Sequence, residues 1–462
     1  MSTVQRAHYS PPWANTSIIG VAGSSGSGKT TLSLAIISAL NLPWVVILSM
    51  DSFYKPLTPE QSAKAFRNEY DFDAPEAIDF DLLVEVLRDV RQGKKVEVPV
   101  YSFEKHQRQD KTTSVYSPHV LILEGIFALH DQRVLDLLDL KIFADAEPDL
   151  CLSRRLVRDV KSRGRDIEGC IKQWFLFVKP NFHRYVAPQR EVAGKPFPNQ
   201  ATGTFELRYA DLIVPRGVEN KVAISMVTDR IHKILTLKSR MHQAELKRLG
   251  KLAEEAPLSP NVIVLPETRQ NRAIHTLLIN PALDRENFIF YFDRICALLI
   301  EESLVCMNFD VVDVTTPMNT VYRGLKPTGE TSAVTVLRGG SALERAFRRV
   351  LPDSRNGRIL IQTNYRTGEP ELHYRALPKD IEKHERVLLL DTQMSSGGAA
   401  LMAVKILVDH GVPEKNIVFV AYMAGKMGVG RLMHVFPDIR VVIGRWVDDY
   451  EERWVEKRYF GH

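Results

Sequence analysis

Residues 23–30 read Gly-Ser-Ser-Gly-Ser-Gly-Lys-Thr, a full match to G-x-x-x-x-G-K-[ST]. Glycines at this spacing let the backbone wrap a polyphosphate with its N–H groups turned inward. A helix starting at the loop adds the partial positive charge of its N-terminus. The candidate phosphate-binding set is Gly23, Ser24, Ser25, Gly26, Ser27, Gly28, Lys29, Thr30 and Thr31. Lys29 is expected on the β- and γ-phosphates and the Thr30 hydroxyl on Mg²⁺. Asp51 and Glu124 each follow an apolar run, as acids at strand ends do, and strand ends are where open α/β sheets bind ligands. Two carboxylates there suit metal coordination and the orientation or deprotonation of an attacking hydroxyl. Arginines crowd residues 153–166 (SRRLVRDVKSRGRD), where Gly164 suggests a hinge, and a lid carrying them supplies cations to a transferring phosphoryl group. Tyr101, Phe103, His106 and Arg108 alternate aromatic and hydrogen-bonding character, as the frame of a flat heterocycle would.

The loop alone implies a nucleoside triphosphate. A GTPase would carry N-K-x-D, which does not occur, and an AAA-type ATPase would carry paired acids where LILEG has one. A small-molecule kinase fits better.

The elements that position these residues follow from the apolar pattern. Buried strands are expected at 18–22, 44–49, 119–123, 140–143 and 212–214, with helices after Lys29 and over 79–92, where Asp79 is the N-cap. Apolar strands alternating with helices indicate a parallel sheet covered on both faces. The alternation restarts with a helix near 286–303 and strands near 333–337, 358–362, 386–390, 417–421 and 440–443. The expected organisation is a flexible tail (1–16), a kinase domain (17–235), a charged, helix-prone linker (236–260) and a second α/β domain (261–462).

The chain has 462 residues, 45% hydrophobic and 25% charged, with a net charge of +5. That is ordinary globular composition, too weakly basic to argue for nucleic acid. Its four cysteines form no C-x-x-C pair, so neither a disulfide framework nor a zinc site is expected, and a reducing compartment fits. Neither a secretory leader nor an apolar run of roughly 18 residues is visible, so no membrane association is expected. The cytoplasm is the expected location, with the nucleus as a second compartment.

In the second half, Ser332–Ser341 (SAVTVLRGGS) is a strand entering a glycine turn with Arg338. Residues 387–400 (VLLLDTQMSSGGAA) are an apolar strand, an acid and a hydroxyl- and glycine-rich turn before a helix. Such a turn can cradle a phosphate or simply connect strand to helix.

Taken together, residues 17–235 resemble the uridine–cytidine kinase family. The carriers are GVAGSSGSGKTT, VVILSMDSFYKPLTPEQ, YDFDAPEAIDFDLL, VPVYSFEKHQR, LILEGIFAL, LSRRLVRDVKSRGRD, FVKP and YADLIVPRG, in the family's order and spacing. The resemblance implies a P-loop NTPase domain of nucleoside-monophosphate-kinase-like type with a parallel sheet, ATP as donor, Mg²⁺ as cofactor, and uridine and cytidine as substrates. Asp51 matches the family's catalytic carboxylate, acting with Lys29 and Arg158. Tyr54 and Phe72 lie by the nucleoside; Asp73 and Arg155 match residues on the ribose hydroxyls. Tyr101, His106 and Arg165 match contacts to the pyrimidine edge, with Phe103 packing on the ring and Gln173 on the substrate side. Arg158 and Arg163 match lid residues at the phosphates; Thr30 and Glu124 match the Mg²⁺ environment. Residues 188–207 depart from the pattern as an insertion before Tyr209, read as a surface loop. The family further implies a homotetramer and a pyrimidine nucleotide regulator.

Residues 268–462 resemble the uracil phosphoribosyltransferases through DRENFIFYFDRICALLIEESL, TPMNTVYRG, VTVLRGGSALERAFR, TGEPELHYRALP, VLLLDTQMSSGGAALMA and RYFGH. A type I phosphoribosyltransferase α/β fold is implied. Asp391, Ser395, Ser396, Gly397 and Gly398 match the phosphoribosyl-pyrophosphate loop, and Arg338 a diphosphate contact. The uracil-reading P-G-x-G-D-x-G-D stretch is missing between Trp446 and Arg458. Ile279-Asn280 stand in place of an Arg-Asp, and a family arginine is replaced near Gln362-Thr363. The expected function is therefore 5′-phosphorylation of uridine and cytidine in pyrimidine salvage, with a degenerate, regulatory or structural C-terminal half. The alternatives are a bifunctional kinase and phosphoribosyltransferase, or a non-catalytic nucleotide-binding regulator.

Overall fold

The computed structural model describes residues 7–42, 44–192, 212–215, 217–254, 257–363, 370–449 and 451–461. The chain divides into two compact units: Pro12–Lys238, and the chain from Ser239 onward together with the residues up to Pro11.

Among the described residues, the first unit holds the strands β1 (Ser17–Gly23), β2 (Val45–Ser49), β3 (Val96–Ser102), β4 (Gln107–Val115), β5 (Val120–Glu124), β6 (Leu140–Asp145) and β7 (Leu212–Pro215). β3 and β4 form a separate antiparallel hairpin. The other five make one sheet in the order β2-β5-β1-β6-β7, with every pair parallel. Neighbouring residues of a strand face opposite sides, which explains why these runs are apolar throughout. Ile18, Leu121 and Leu123 join one core with Leu83, Leu87 and Val90 of the helix Phe80–Arg91. Ile19, Val21 and Ile122 join the other with Leu32 and Ile36 of the helix Lys29–Leu40. Asp79 caps the first of these helices, accepting from the Leu82 N–H, a contact of the kind that contributes about 1 kcal/mol. The register sets Val21 and Ser49 beside Glu124. The loop after β1, the turn after β2 and the end of β5 therefore share one edge.

Two expectations are corrected here. Residues 7–16 are not a loose tail. Trp13 is 0% exposed, lying over Gly93 and against the Tyr116 ring, and the Thr16 hydroxyl sits 2.7 Å from the Pro118 carbonyl. An indole of that size stabilises by leaving water, which fixes the chain around it. Nor do residues 236–254 form a separate linker: they complete a 34-residue helix, Lys221–Glu254, uninterrupted by proline. Lys238 on this helix bonds the Asn15 carbonyl and the Ser17 hydroxyl, and burial lowers its pKa to about 8.

The second unit holds β8 (Val262–Val264), β9 (Phe309–Thr315), β10 (Val321–Pro327), β11 (Thr331–Leu337), β12 (Arg355–Thr363), β13 (Pro370–Ala376), β14 (Arg386–Met394), β15 (Ile417–Gly425) and β16 (Arg440–Val447). Its seven-stranded sheet runs β13-β12-β11-β14-β15-β16-β8. All its pairs are parallel except β12–β13, so the sheet is mixed rather than purely parallel. β9 and β10 form an exposed two-stranded ribbon outside it. Among the described residues, no helix is long and apolar enough to cross a membrane.

Candidate active site

At the shared edge of the first sheet lies a cavity of about 400 Å³. The glycine loop forms its floor. Gly26 and Gly28 adopt φ of 86° and 90°, which L side chains rarely tolerate, and a Cβ on Gly26 would overlap the Cys151 carbonyl oxygen. Lys29 opens the following helix and donates to the Ser24 carbonyl at 2.9 Å. Burial lowers its pKa, while Glu124 and Asp51 pull the other way. The Thr30 hydroxyl lies 3.0 Å from Glu124 Oε2 and 3.1 Å from Oε1. Asp51 sits in the turn Met50–Phe53 directly after β2, with Arg163 Nη2 at 3.7 Å from Oδ2.

The opposite wall is aromatic. Tyr54 packs edge-on to Phe72 (centroids 5.6 Å apart) and against Tyr101 (5.2 Å). His106 stacks on Phe72 at 5.1 Å, and its pKa is lowered by burial and then by Arg165. Burial raises the pKa of both tyrosines, so they present O–H donors at neutral pH. The β3–β4 hairpin delivers Tyr101, Phe103 and His106. Arg108 ties its tip to the Asp51 turn, donating 2.8 Å to the Tyr54 carbonyl and 3.1 Å to Asp79.

The arginines come from the helix Pro148–Arg163, which ends where Gly164 turns left-handed (φ 64°). The hinge expected at Gly164 is thus a helix end. Arg155 donates 3.0 Å to the Ser25 hydroxyl and lies 3.7 Å from Asp73; Arg163 stacks 3.7 Å over the Phe103 ring. Past the turn, Arg165 donates 2.9 Å to Gln173, whose amide donates 3.1 Å to Asn68.

The structure therefore brings Asp51, Lys29, Arg158, Thr30, Glu124, Tyr54, Phe72, Asp73, Tyr101, Phe103, His106, Arg155, Arg163, Arg165 and Gln173 to one cavity wall, with Ser25, Gly26, Gly28 and Thr31. Gly23, Ser24 and Ser27 belong to the loop but not to the wall; Gly23 packs on the Ala144 carbonyl. Sequence reasoning passed over Asn68 and the pair Asn181–Asp71, in which the Asn181 amide donates to both oxygens of Asp71 (2.9 and 2.7 Å). Asp71 in turn accepts from the Asp73 N–H. Asn68 lies in a turn, Asp71 in a loop and Asn181 at a helix end, and single polar residues so scattered carry no motif, so only the fold reveals them. It also passed over Asp159, whose signal was present: a carboxylate inside an arginine cluster. Of the insertion at 188–207, residues 188–192 are described; Gln189 there accepts from the Leu129 N–H and donates to the Ile126 carbonyl. Residues 193–207 and Tyr209 lie outside the described residues.

In the second unit, the loop after β14 turns through Gly397 (φ 80°) into the helix Gly398–Asp409. Its acid, Asp391, is buried, and both its oxygens accept from Arg453 Nη2 at 2.9 and 2.8 Å. Burial raises the pKa of Asp391 against the pull of Arg453. Arg453 also donates to the Gln393 carbonyl, the Thr392 hydroxyl lies 3.2 Å from Glu456, and Gln393 donates to the Glu451 carbonyl. The short segment after β16 thus lies across the start of this loop, and Gly339 in the turn beside Arg338 has no room for a Cβ between Glu456 and Asp391.

Two family models match the chain: "Phosphoribulokinase / Uridine kinase family" over residues 18–223 and "Uracil phosphoribosyltransferase" over residues 264–452. These define a P-loop kinase followed by a phosphoribosyltransferase-like α/β domain. The uridine kinase of Saccharomyces cerevisiae is 38% identical over 98% of this chain and 89% of its own length. Uridine-cytidine kinase-like 1 of Mus musculus is 42% identical over 96% and 79%, and the uridine kinase of Schizosaccharomyces pombe 41% over 94% and 92%. The chain belongs to the uridine kinase family.

Proposed function

We propose that the protein transfers the γ-phosphoryl group of ATP to the 5′-hydroxyl of uridine and cytidine, giving UMP and CMP for pyrimidine salvage. The observation that carries this reading is the shared cavity: Lys29 and Thr30 of the glycine loop and Asp51 open onto the same space as the Tyr54–Phe72–Tyr101–His106 wall. A triphosphate on the loop and a flat nucleoside on the aromatic wall put the sugar alcohol beside Asp51. The 5′-oxygen bonds to Pγ as the Pγ–O bond to the β-phosphate breaks, and the alcohol proton passes to Asp51 and then to solvent. Asp51 aligns the hydroxyl; Lys29, Arg158 and Arg163 meet charge on the phosphoryl oxygens. Asp73 and Arg155 hold the ribose hydroxyls. Tyr101, His106 and Arg165 read the pyrimidine edge, where a missing hydrogen-bond partner discriminates far more than a missing methylene.

The donor set suits Mg²⁺: the Thr30 hydroxyl and Glu124 are hard oxygen ligands beside the loop and would hold the ion. When bound, the ion would offset negative charge on the phosphates of the donor.

The C-terminal half is proposed to lack transferase activity and to serve regulation or assembly, with a pyrimidine nucleotide as regulator, while the homotetramer is proposed to form through the kinase half. The Arg453–Asp391 pair supports the first part, because it engages the carboxylate that a phosphoribosyl ligand would need. Four free, buried cysteines suit the cytoplasm. A paired assay tests the reading. Purified protein should form UMP from ATP, Mg²⁺ and uridine, and none from uracil and phosphoribosyl pyrophosphate. UMP appearing only in the second mixture would reverse the assignment.

A further inference from the structure

Asp159 lies on the helix Pro148–Arg163 and is 0% exposed. Four guanidinium groups converge on its carboxylate. Arg158 Nε donates to Oδ1 at 2.8 Å, and Arg163 Nη1 lies 3.5 Å from the same oxygen. Arg155 Nε and Arg165 Nη1 are each 3.6 Å from Oδ2. Oδ2 has no hydrogen-bond partner, so charge rather than a directed bond holds it. All four arginines line the cavity, and Asp159 does not.

Three of these arginines have a second commitment on the cavity side: Arg155 to Ser25 and Asp73, Arg163 to Asp51 and Phe103, Arg165 to Gln173. The backbone makes the same convergence. The Asp159 carbonyl accepts from the N–H groups of both Gly164 and Arg165, ending the helix and turning the chain so that Arg165 comes back to the carboxylate. Four like charges this close repel, and one buried anion behind them is what allows them to stand together. Burial alone would raise the pKa of Asp159, but Arg158, Arg155 and Arg163 outweigh it, and the carboxylate stays ionised.

We propose that Asp159 is a positioning residue for phosphoryl transfer, fixing the guanidinium groups of Arg155, Arg158, Arg163 and Arg165 over the reacting groups without touching them. This rests on the kinase reading above. A neutral isostere at this position leaves the arginines their reach but not their spacing. Loss should therefore fall on turnover and on nucleoside binding more than on ATP, which Lys29 and the loop amides hold independently.

The test is Asp159→Asn in the full chain, assayed with ATP, Mg²⁺ and uridine beside the parent. We expect kcat to fall about 100-fold, the uridine KM to rise about tenfold and the ATP KM to stay within about threefold. Arg163→Gln and the double variant complete a cycle: in the Arg163→Gln background, Asp159→Asn should cost clearly less than in the parent. A kcat within threefold of the parent, or losses that multiply independently in the cycle, would overturn the proposal. So would an Asp159→Asn chain that circular dichroism shows unfolded, since the carboxylate would then be a stability element. A parent that leaves uridine unphosphorylated would sink the kinase reading instead, which separates the two failures.

Discussion

Asp51 stands at the cavity wall with 39% of its side chain exposed and, among the described residues, one cation, Arg163, at ion-pair distance. A carboxylate so placed is free to take up an alcohol proton, and its neutral isostere is not. Asp51→Asn should lower kcat by about three orders of magnitude while leaving ATP affinity, measured by equilibrium binding, within about threefold. A fall of less than tenfold would remove Asp51 from the proposed step. His106 supports a pH prediction. Its pKa lies below the ordinary value of 6.5 because burial and Arg165 oppose the charged ring. The ring is thus neutral above pH 6.5 in both folded and unfolded chains. Below that pH the unfolded chain takes the proton first, so stability and the neutral ring are lost on acidification and not on raising the pH. The uridine KM should stay flat from pH 8 to 6.5 and rise only below; a rise centred above 6.5 would contradict this. At this scale the sequence was legible wherever residue type and spacing were set by ligand chemistry, as in the glycine loop, Asp51 and Glu124. Asn68, Asp71 and Asn181 act through partners far away in the chain, and no local pattern announces them.

Among the elements, the glycine loop is the most constrained. Gly26 combines a φ of 86° with backbone contact at Cys151. Gly26→Ala must therefore distort the loop, at a cost of about 1–3 kcal/mol, and the expected outcome is an ATP affinity at least tenfold weaker by equilibrium binding. Unchanged affinity would show that the loop adapts. Strands buried on both faces were readable because each carries an unbroken apolar run, as in 18–22 of β1, 120–123 of β5 and 387–390 of β14. The missed strands lacked that signature. β8 has only three residues, β13 alternates polar and apolar residues as a sheet-edge strand, and the β9–β10 ribbon is exposed on both faces. Charge density at 236–254 suggested a linker, but the segment holds no proline and is rich in Leu, Lys, Arg, Ala, Glu and Gln, so the helix continues through Gly250 instead.

On the scale of the whole molecule, two α/β units share one chain, and the change of hydrophobic pattern showed both. The division itself falls within one helix, where composition offers no break. In the second unit the acid of the phosphate-type loop is matched by a guanidinium from the same chain. A group tethered this way faces Asp391 at an effective concentration on the order of millimolar, fixed by covalent attachment and not by the contents of the cell. A sugar diphosphate arriving from solution must evict a resident that never diffuses off, and it finds a carboxylate whose charge is already balanced. That loop therefore carries an internal competitor, supplied by the chain beyond β16.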